Sequence, residues 1–182
     1  MRIYFQYKRN YLYISMVVLM RIGDVCSIQK GARINRRQNI EGNIPVYGIP
    51  KNPLFFTNEF NREGRTCKIN KSKSGNYPNI IILNENYFLN DCAFTIKSNS
   101  NDLTDEYLWF YLQNNENLIQ YIGTAIPIID MEHFKNIQIP VPSIIRQVEI
   151  TSTISSLTGV QHQLNNQLNN YINTELENIH ST

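Results

Sequence analysis

The feature that most constrains this 182-residue chain is a C-terminal stretch that lacks proline and carries an apolar residue at every seventh position. Pro140 and Pro142 stop the preceding strand, because a proline ring fixes φ and removes a backbone donor. Ser143 is a residue type that caps helices. The repeat consists of Ile150, Ile154, Leu157, Leu164, Leu168 and Tyr171. This a/d spacing predicts one long helix over residues 143–182 that packs along another helix.

The chain before this stretch has the pattern of many short strands with inserted helices. Apolar runs bounded by glycine, proline and asparagine predict strands at residues 44–49, 66–69, 80–83, 92–96, 126–129 and 137–139. Thr104, followed by two acidic residues, predicts the start of a helix that ends at Gly123. The predicted fold class is α+β: a mixed, short-stranded β domain with inserted helices, followed by a long C-terminal coiled-coil helix.

The net charge of +2 hides an uneven distribution along the chain. Residues 1–73 hold 14 Lys and Arg against 4 Asp and Glu, whereas residues 74–142 hold 2 against 8. One lobe or face is therefore expected to be basic, which suits a polyanionic partner. The alternative is that these charges mix again in three dimensions and form an ordinary solvated surface.

Cysteine usage and hydropathy predict a reducing, cytoplasmic location. Cys26, Cys67 and Cys92 are odd in number and too widely spaced for a zinc site or a disulfide framework. The apolar run at residues 11–20 is about half the roughly 20 residues that a membrane span needs. We therefore expect no metal and no membrane association.

Several short motifs, in a fixed order, carry a family resemblance. Their residues are Gly31, Gly75, Asn90, Asp91, Gly123, Thr124, Ala125, Pro127, Pro140, Pro142 and Gln147. Over residues 17–179 the chain resembles the specificity (S) subunits of type I restriction–modification enzymes. It departs from that family where Ile126 replaces the usual glutamine after Gly-Thr-Ala, and where Arg146 replaces the usual acidic residue before Gln147.

The resemblance implies a target recognition domain that reads double-stranded DNA and a helix that spaces it from a second one. It assigns residues 17–142 to the recognition domain, residues 143–182 to the spacer and dimerisation helix, and residues 1–16 to an uncertain N-terminal extension. A complete subunit has two such domains and two antiparallel helices, so this chain looks like a half subunit. A two-fold homodimer would restore both. The alternatives are a helix that folds back on its own domain and a truncated relic.

The resemblance also implies a non-catalytic subunit without a cofactor of its own. Its partners would be DNA, a methyltransferase subunit that uses S-adenosylmethionine, and a restriction subunit. The runner-up function is a decayed specificity subunit that acts only as a coiled-coil interaction module. A third hypothesis is a free-standing methyltransferase or nuclease. Residues 52–55, Asn-Pro-Leu-Phe, resemble a methyltransferase motif, but the glycine-rich cofactor loop that this motif requires is not visible in the sequence.

Candidate DNA-binding residues lie in the basic stretch 30–73, where cations alternate with Asn and Gln. Arginine can bind guanine, and asparagine can bind adenine, through two hydrogen bonds, while lysines suit phosphates. The predicted set is Arg33, Arg36, Arg37, Lys51, Asn52, Arg62, Arg65, Lys68, Lys71 and Lys73. The alternative is a polar loop region in a chain that is rich in asparagine.

Overall fold

The computed structural model describes residues 2–3, 6–8, 11–13, 16–34, 42–73 and 79–180, with side chains for 17–34, 42–73, 79–161 and 163–170. In chain order the elements are β1 (Arg2–Ile3), β2 (Gln6–Lys8), β3 (Tyr11–Tyr13), β4 (Met16–Arg21), α1 (Ile22–Val25), β5 (Cys26–Lys30), β6 (Ile44–Tyr47), β7 (Phe55–Thr57), β8 (Arg65–Asn70), β9 (Ile80–Asn84), β10 (Phe88–Leu89), β11 (Ala93–Ser98), α2 (Asp105–Asn114), a 3₁₀ turn (Glu116–Leu118), β12 (Tyr121–Ile122), β13 (Ile128–Ile129), α3 (Met131–Asn136), β14 (Gln138–Val141) and α4 (Ile144–His180). Short strands with inserted helices and one long terminal helix confirm the predicted α+β class.

An antiparallel four-stranded sheet, in the order β5-β11-β8-β9, forms the frame of the domain. Successive side chains of each strand point to opposite faces. On one face, Ile69 and Phe94 join the larger core, which also contains Leu108 of α2. The other face contributes to a smaller apolar cluster of Tyr47, Ile81, Leu83, Tyr87, Leu89 and Ala93. The two inner strands, β8 and β11, are therefore covered on both faces.

A second sheet, in the order β10-β6-β7, covers the smaller cluster. Its strand β10 runs parallel to β6, whereas β7 runs antiparallel to β6. The rings of Tyr47 and Tyr87 meet edge to face with their centroids 5.4 Å apart. The hydroxyl of Tyr47 donates a hydrogen bond to the Glu85 carboxylate at 2.7 Å. The two sheets thus share one apolar layer.

Pairing between β4 and β14 joins the beginning of the domain to its end. The two strands run antiparallel, with Val18 opposite Val141. Beyond the pair, the N–H of Ile22 donates to the carbonyl of Ile137 at 3.0 Å. The chain between β4 and β14, residues 22–137, therefore begins and ends at one pair of neighbouring strands.

The N-terminal residues contain paired strands where the sequence suggested an extension of uncertain role. Strand β1 pairs with β4, and β2 and β3 form an antiparallel hairpin. Among the described residues, no helix combines the length and the apolar character that a membrane span needs.

The helix predicted from Thr104 to Gly123 is shorter than the pattern indicated. Thr104 is its N-cap, as predicted, and the Thr104 hydroxyl accepts from the N–H of Tyr107 at 3.3 Å. The helix ends at Asn114, and the side-chain amides of Asn114 and Asn115 donate to carbonyls four residues earlier at 2.8 Å. Such local bonds compete with helix propagation. Gly123 instead lies between β12 and β13 with φ of 99°, a conformation that favours glycine.

The long helix that the sequence predicts is confirmed by α4, which runs from Ile144 to His180. The hydroxyl of Ser143 accepts from the N–H of Arg146 at 3.4 Å, as expected of a cap. At about 1.5 Å per residue, α4 is roughly 55 Å long. Its first turns pack on α2, and the described side chains from residue 155 onward are exposed. The helix therefore extends beyond its own domain.

We expect Gly31→Ala to destabilise the domain by about 1–3 kcal/mol, because it forces backbone segments apart. A Cβ at this position would lie 2.0 Å from the carbonyl oxygen of Asn90. The matched control is Gly159→Ala on the exposed helix, where a Cβ meets nothing within 4 Å. That change should stabilise the helix by about 0.5–1 kcal/mol. Urea unfolding followed by circular dichroism measures both, and an unchanged midpoint for Gly31→Ala would contradict the close approach.

Candidate nucleic-acid interface

Several loops converge at one end of the four-stranded sheet, and the strand register defines that end. In the antiparallel pairing, Lys30 at the end of β5 lies opposite Phe94, and Asn70 at the end of β8 lies opposite Ala93. The segments that leave or enter the strands there are 30–34, 70–73 and 90–92. Together with two further loops, 48–52 and 123–128, we call this region the basic end.

The turn 48–52 is held at the basic end by two polar side chains of β8. The ammonium group of Lys68 donates to the carbonyl of Gly48, and it also bonds to Oδ1 of Asn70 at 3.0 Å. The Asn70 amide donates to the Ile49 carbonyl at 3.0 Å. The side chains of Lys51 and Asn52, further along the turn, are exposed. The turn is therefore fixed through its main chain, while its side chains face solvent.

The hairpin β12–β13 brings a predicted family motif to the same end. The N–H of Ile129 donates to the Lys71 carbonyl at 2.7 Å, and that of Lys73 donates to the Pro127 carbonyl at 3.3 Å. Thr124 and Ala125, in the loop of this hairpin, are exposed. The motif therefore lies beside two of the predicted DNA-binding lysines.

The Asn90–Asp91 motif builds the turn that precedes β11. Oδ1 of Asn90 accepts from the N–H of Asp91 at 2.5 Å, and Gly31 packs directly against the Asn90 carbonyl. The ammonium group of Lys71 donates to the carbonyl of Asp91. These motif residues shape the main chain at the basic end, which gives their pattern a physical explanation.

The charge is strongly asymmetric between the two ends of the sheet. The five segments of the basic end carry five cationic residues and one acidic residue, namely Lys30, Arg33, Lys51, Lys71 and Lys73 with Asp91. The segments at the opposite end, 21–26, 61–66, 84–86 and 97–106, carry six acidic and four cationic residues. A field of one sign at one end attracts a polyanion to that end.

The predicted DNA-binding set does not form one patch, because Arg65 lies at the opposite end of β8 from Lys71 and Lys73. At about 3.3 Å per residue, the six-residue strand separates these ends by roughly 20 Å. The Arg65 guanidinium lies 5.8 Å from the ring centre of Trp109 and 3.6 Å from the Glu106 carboxylate. The assignment of Arg65 to the same surface is therefore corrected.

Arg62 and Lys68 are also corrected, because both side chains are buried, with exposures of 5% and 0%. Arg62 donates to Oγ1 of Thr95 at 2.8 Å and to the carbonyls of Gln29 and Lys30 at 2.8 and 2.9 Å. These bonds tie residues 61–62 to β5 and β11. Neither cation faces solvent, so neither can contact a phosphate in this conformation.

Burial without a carboxylate partner changes the acidity of Lys68. Desolvation lowers the pKa of its ammonium group from 10.5 to about 8. Arg36, Arg37 and Gly75 lie outside the described residues. Within the described part of the chain, no three His, Cys, Asp or Glu residues are grouped as metal ligands.

The predicted helix interface divides into two parts. Ile150 and Ile154 are half-buried, and Ile150 packs against the larger core, while Leu157, Leu164 and Leu168 are between 55% and 64% exposed. The side chain of Tyr171 is outside the described set.

Val160, which the heptad template missed, is 52% exposed and belongs to the same stripe. Its spacing of three residues from Leu157 and four from Leu164 is the signal that could have identified it.

Two further motif residues lie at the junction between domain and helix. The Pro140 carbonyl accepts from the hydroxyl of Tyr107 at 2.8 Å. Gln147 is completely buried, and its amide donates to the Pro142 carbonyl at 2.8 Å. The C-terminal motif therefore fixes the start of α4.

Sequence comparison agrees with this architecture. Residues 15–174 match the family described as the type I restriction modification DNA specificity domain. The chain belongs to this family, and the resemblance inferred from its motifs is confirmed. It is similar to the type I restriction enzyme MjaVIII specificity subunit of Methanocaldococcus jannaschii, with 24% identity over 169 residues. That match covers 82% of this chain and 38% of the relative.

Solved structures show the same fold. The S subunit of a type I restriction–modification system from M. genitalium matches with a TM-score of 0.66 and 19% identity, over 85% of this chain and 41% of that one. The HsdS subunit of Thermoanaerobacter tengcongensis matches with a TM-score of 0.56 and 17% identity, over 85% and 40%. This chain thus spans about two fifths of the length of these relatives.

We expect the stabilising effect of Lys68 to grow as the pH rises from 8 to 10.5. Its pKa is lower in the folded state, so the unfolded chain binds more protons in this window, and folding is favoured as that proton is lost. The free energy of unfolding of the wild type minus that of Lys68→Met should rise by at most about 1.4 kcal/mol per pH unit. Taking the difference between the two free energies of unfolding cancels the contribution of cysteine and tyrosine titration, which is common to both proteins. A difference that is flat or falls over this window would contradict the buried ammonium.

Proposed function

We propose that this chain is the sequence-reading half of a type I restriction–modification specificity subunit, and that it binds double-stranded DNA without catalysing a reaction. The observation that carries the proposal is the convergence of exposed cationic and amide side chains at the basic end, on a domain of the specificity family. Phosphates need cations, and base edges need planar polar groups, and this end offers both.

The cationic and amide residues of the basic end divide into two roles. Lys71 and Lys73 follow the end of β8 and suit phosphate contacts, which position a protein on the duplex. Arg33, Lys51 and Asn52 lie on the neighbouring loops, and their side chains suit hydrogen bonds to guanine or adenine in the major groove. The sequence read would then depend on the turn 48–52 and on the loop that follows β5.

Helix α4 supports a two-fold dimer in the proposed function. Leu157, Val160, Leu164 and Leu168 recur at spacings of three and four residues and form an exposed apolar stripe on the part of α4 beyond the domain. Such a stripe on an extended helix is stabilised by packing along a second helix. In such a dimer, a second copy of the chain would supply a second recognition domain.

We further propose that the dimer directs a separate methyltransferase subunit, and a restriction subunit with it, to the bound site. The methyltransferase would carry the S-adenosylmethionine, and this chain would need no cofactor. One similar structure comes from work on complex assembly of the type I restriction–modification system, with a TM-score of 0.65. Free thiols at Cys26, Cys67 and Cys92 suit the reducing cytoplasm where such partners work.

Replacing Lys73 with glutamine should weaken DNA binding and reduce its salt dependence, because one phosphate contact is lost. The slope of log K against log salt should fall by about 0.9. The matched control, Arg65→Gln at the opposite end of β8, should leave the slope unchanged. Fluorescence anisotropy with a duplex between about 50 and 200 mM salt measures both. Equal losses in the two variants would contradict the assignment to the basic end.

Replacing Leu164 with aspartate should weaken dimerisation by about 100-fold or more, since an unpaired carboxylate in an apolar seam costs several kcal/mol. The control is Gln163→Asp, which places the same charge on an adjacent face of the helix. Sedimentation equilibrium separates the dimer from the 21.3 kDa monomer. A wild type that stays monomeric at micromolar concentration would count against the dimer.

Selection from a random duplex pool tests the whole proposal. The wild type should enrich a bipartite sequence, alone or with a methyltransferase partner. Dimerisation without sequence enrichment under either condition would favour the coiled-coil interaction module instead.

A further inference from the structure

Gln147 connects the recognition domain to α4 through a saturated set of hydrogen bonds. Its Oε1 accepts from the N–H of Thr104 at 2.8 Å and from the Thr104 hydroxyl at 3.1 Å. Its Nε2 donates to the carbonyls of Asp102 at 2.6 Å and Pro142 at 2.8 Å. A glutamine amide has two donors and an oxygen with two lone pairs, so all four positions are used.

These bonds join the starts of two helices. Thr104 is the N-cap of α2, and its hydroxyl also accepts from the N–H of Tyr107. Gln147 lies in the first turns of α4, where its own N–H donates to the Ser143 carbonyl at 2.9 Å. A hydrogen bond is directional, so four bonds from one rigid amide fix orientation as well as distance. Apolar contacts such as those of Ile150 do not fix orientation in this way.

Because α4 is long, a small change in its orientation at Gln147 produces a large displacement further along the helix. Beyond Ile154, the described side chains of α4 are exposed, so only the first turns of the helix are held against the domain. From Gln147 to Leu168 the helix runs about 32 Å, and a tilt of about 10° would move Leu168 by about 5–6 Å. One base-pair step is only about 3.4 Å.

We propose that Gln147 is the positioning residue that sets the angle between the recognition domain and α4, and thereby the spacing of the two DNA half-sites that a dimer reads. This inference rests on the proposed function. Because Gln147 lies near the opposite end of β11 from the basic end, its replacement should leave the base-reading loops intact. Half-site spacing should therefore change while half-site sequence does not.

The test variant is Gln147→Asn, whose amide is one methylene shorter and cannot reach Thr104 and Asp102 together. The matched control is Gln163→Asn on the exposed part of the same helix. Thr104→Val, which removes one bond to Gln147 together with the cap bond to the N–H of Tyr107, is a second variant that remains available if Gln147→Asn does not fold. Circular dichroism and thermal unfolding establish that each variant is folded before further measurement.

The first measurement is the spacer length selected from a random duplex pool. The wild type and Gln163→Asn should select one spacer length. Gln147→Asn should spread over two or more neighbouring lengths, with the half-site sequence unchanged. A purely structural role for Gln147 would lower thermal stability and leave the spacer as sharp as in the wild type, and that result would overturn the inference.

The second measurement does not depend on DNA. Spin labels at Asn58→Cys and Asn165→Cys, in a Cys92→Ser background where the remaining cysteines are buried, report the distance from domain to helix. Dilution with unlabelled protein removes distances between protomers. Gln147→Asn should broaden or shift the distribution by about 5 Å relative to the wild type and Gln163→Asn.

The two measurements separate the failure of this inference from that of the proposed function. An unchanged spin-label distribution shows that Gln147 does not set the angle, whatever the DNA result. If the wild type selects no bipartite site, the proposed function fails and the spacing role falls with it. The spin-label distances then decide only whether Gln147 orients the helix.

Discussion

Coverage of β8 and β11 on both faces is the constraint on which the rest of the structure depends. A side chain in the middle of either strand meets the larger core on one face and the second sheet or its loops on the other. The polar exceptions, Lys68 and Thr95, are bonded inside the domain. These two strands therefore offer no exposed face to a partner such as a DNA duplex. In the proposed function, the residues that contact a duplex therefore lie on the segments beyond the strand ends, where the exposed cations of the basic end are found.

The sequence predicted best those elements whose own residues form a clear pattern. The proline pair and the apolar repeat identified α4, and the apolar runs bounded by turn residues identified β8, β9 and β11. The strands β7 and β10 were missed because they have only three and two residues, and β5 was missed because it is stabilised by pairing with β11, which is distant in sequence. The extended helix prediction failed at Asn114 for a local reason, since asparagine amides compete for the carbonyls that would continue the helix.

The candidate site shows where prediction from one sequence stops. Successive side chains of a strand point to opposite faces, so Lys68 lies on the face of β8 opposite Ile69, and a lysine on the outer face of a half-buried strand normally reaches water. A second sheet covers that face here, so the same pattern produces a buried cation. The separation of Arg65 from Lys73 follows from strand direction, which a list of nearby basic residues does not contain. The family motifs were more informative, because two of their residues, Gly31 and Asn90, pack directly against each other in the structure.

The way the turn 48–52 is held has a consequence for how such a protein can change. Lys68 and Asn70 donate hydrogen bonds to main-chain carbonyl oxygens, which every amino acid possesses. The side chains at positions 51 and 52 are exposed and take no part in these bonds. Substitutions at those two positions should therefore cost the fold little. If the proposed function holds, residues 51 and 52 could change during evolution and alter the DNA sequence that is bound. Lys68 and Asn70 would have to be retained, because they hold the turn in place.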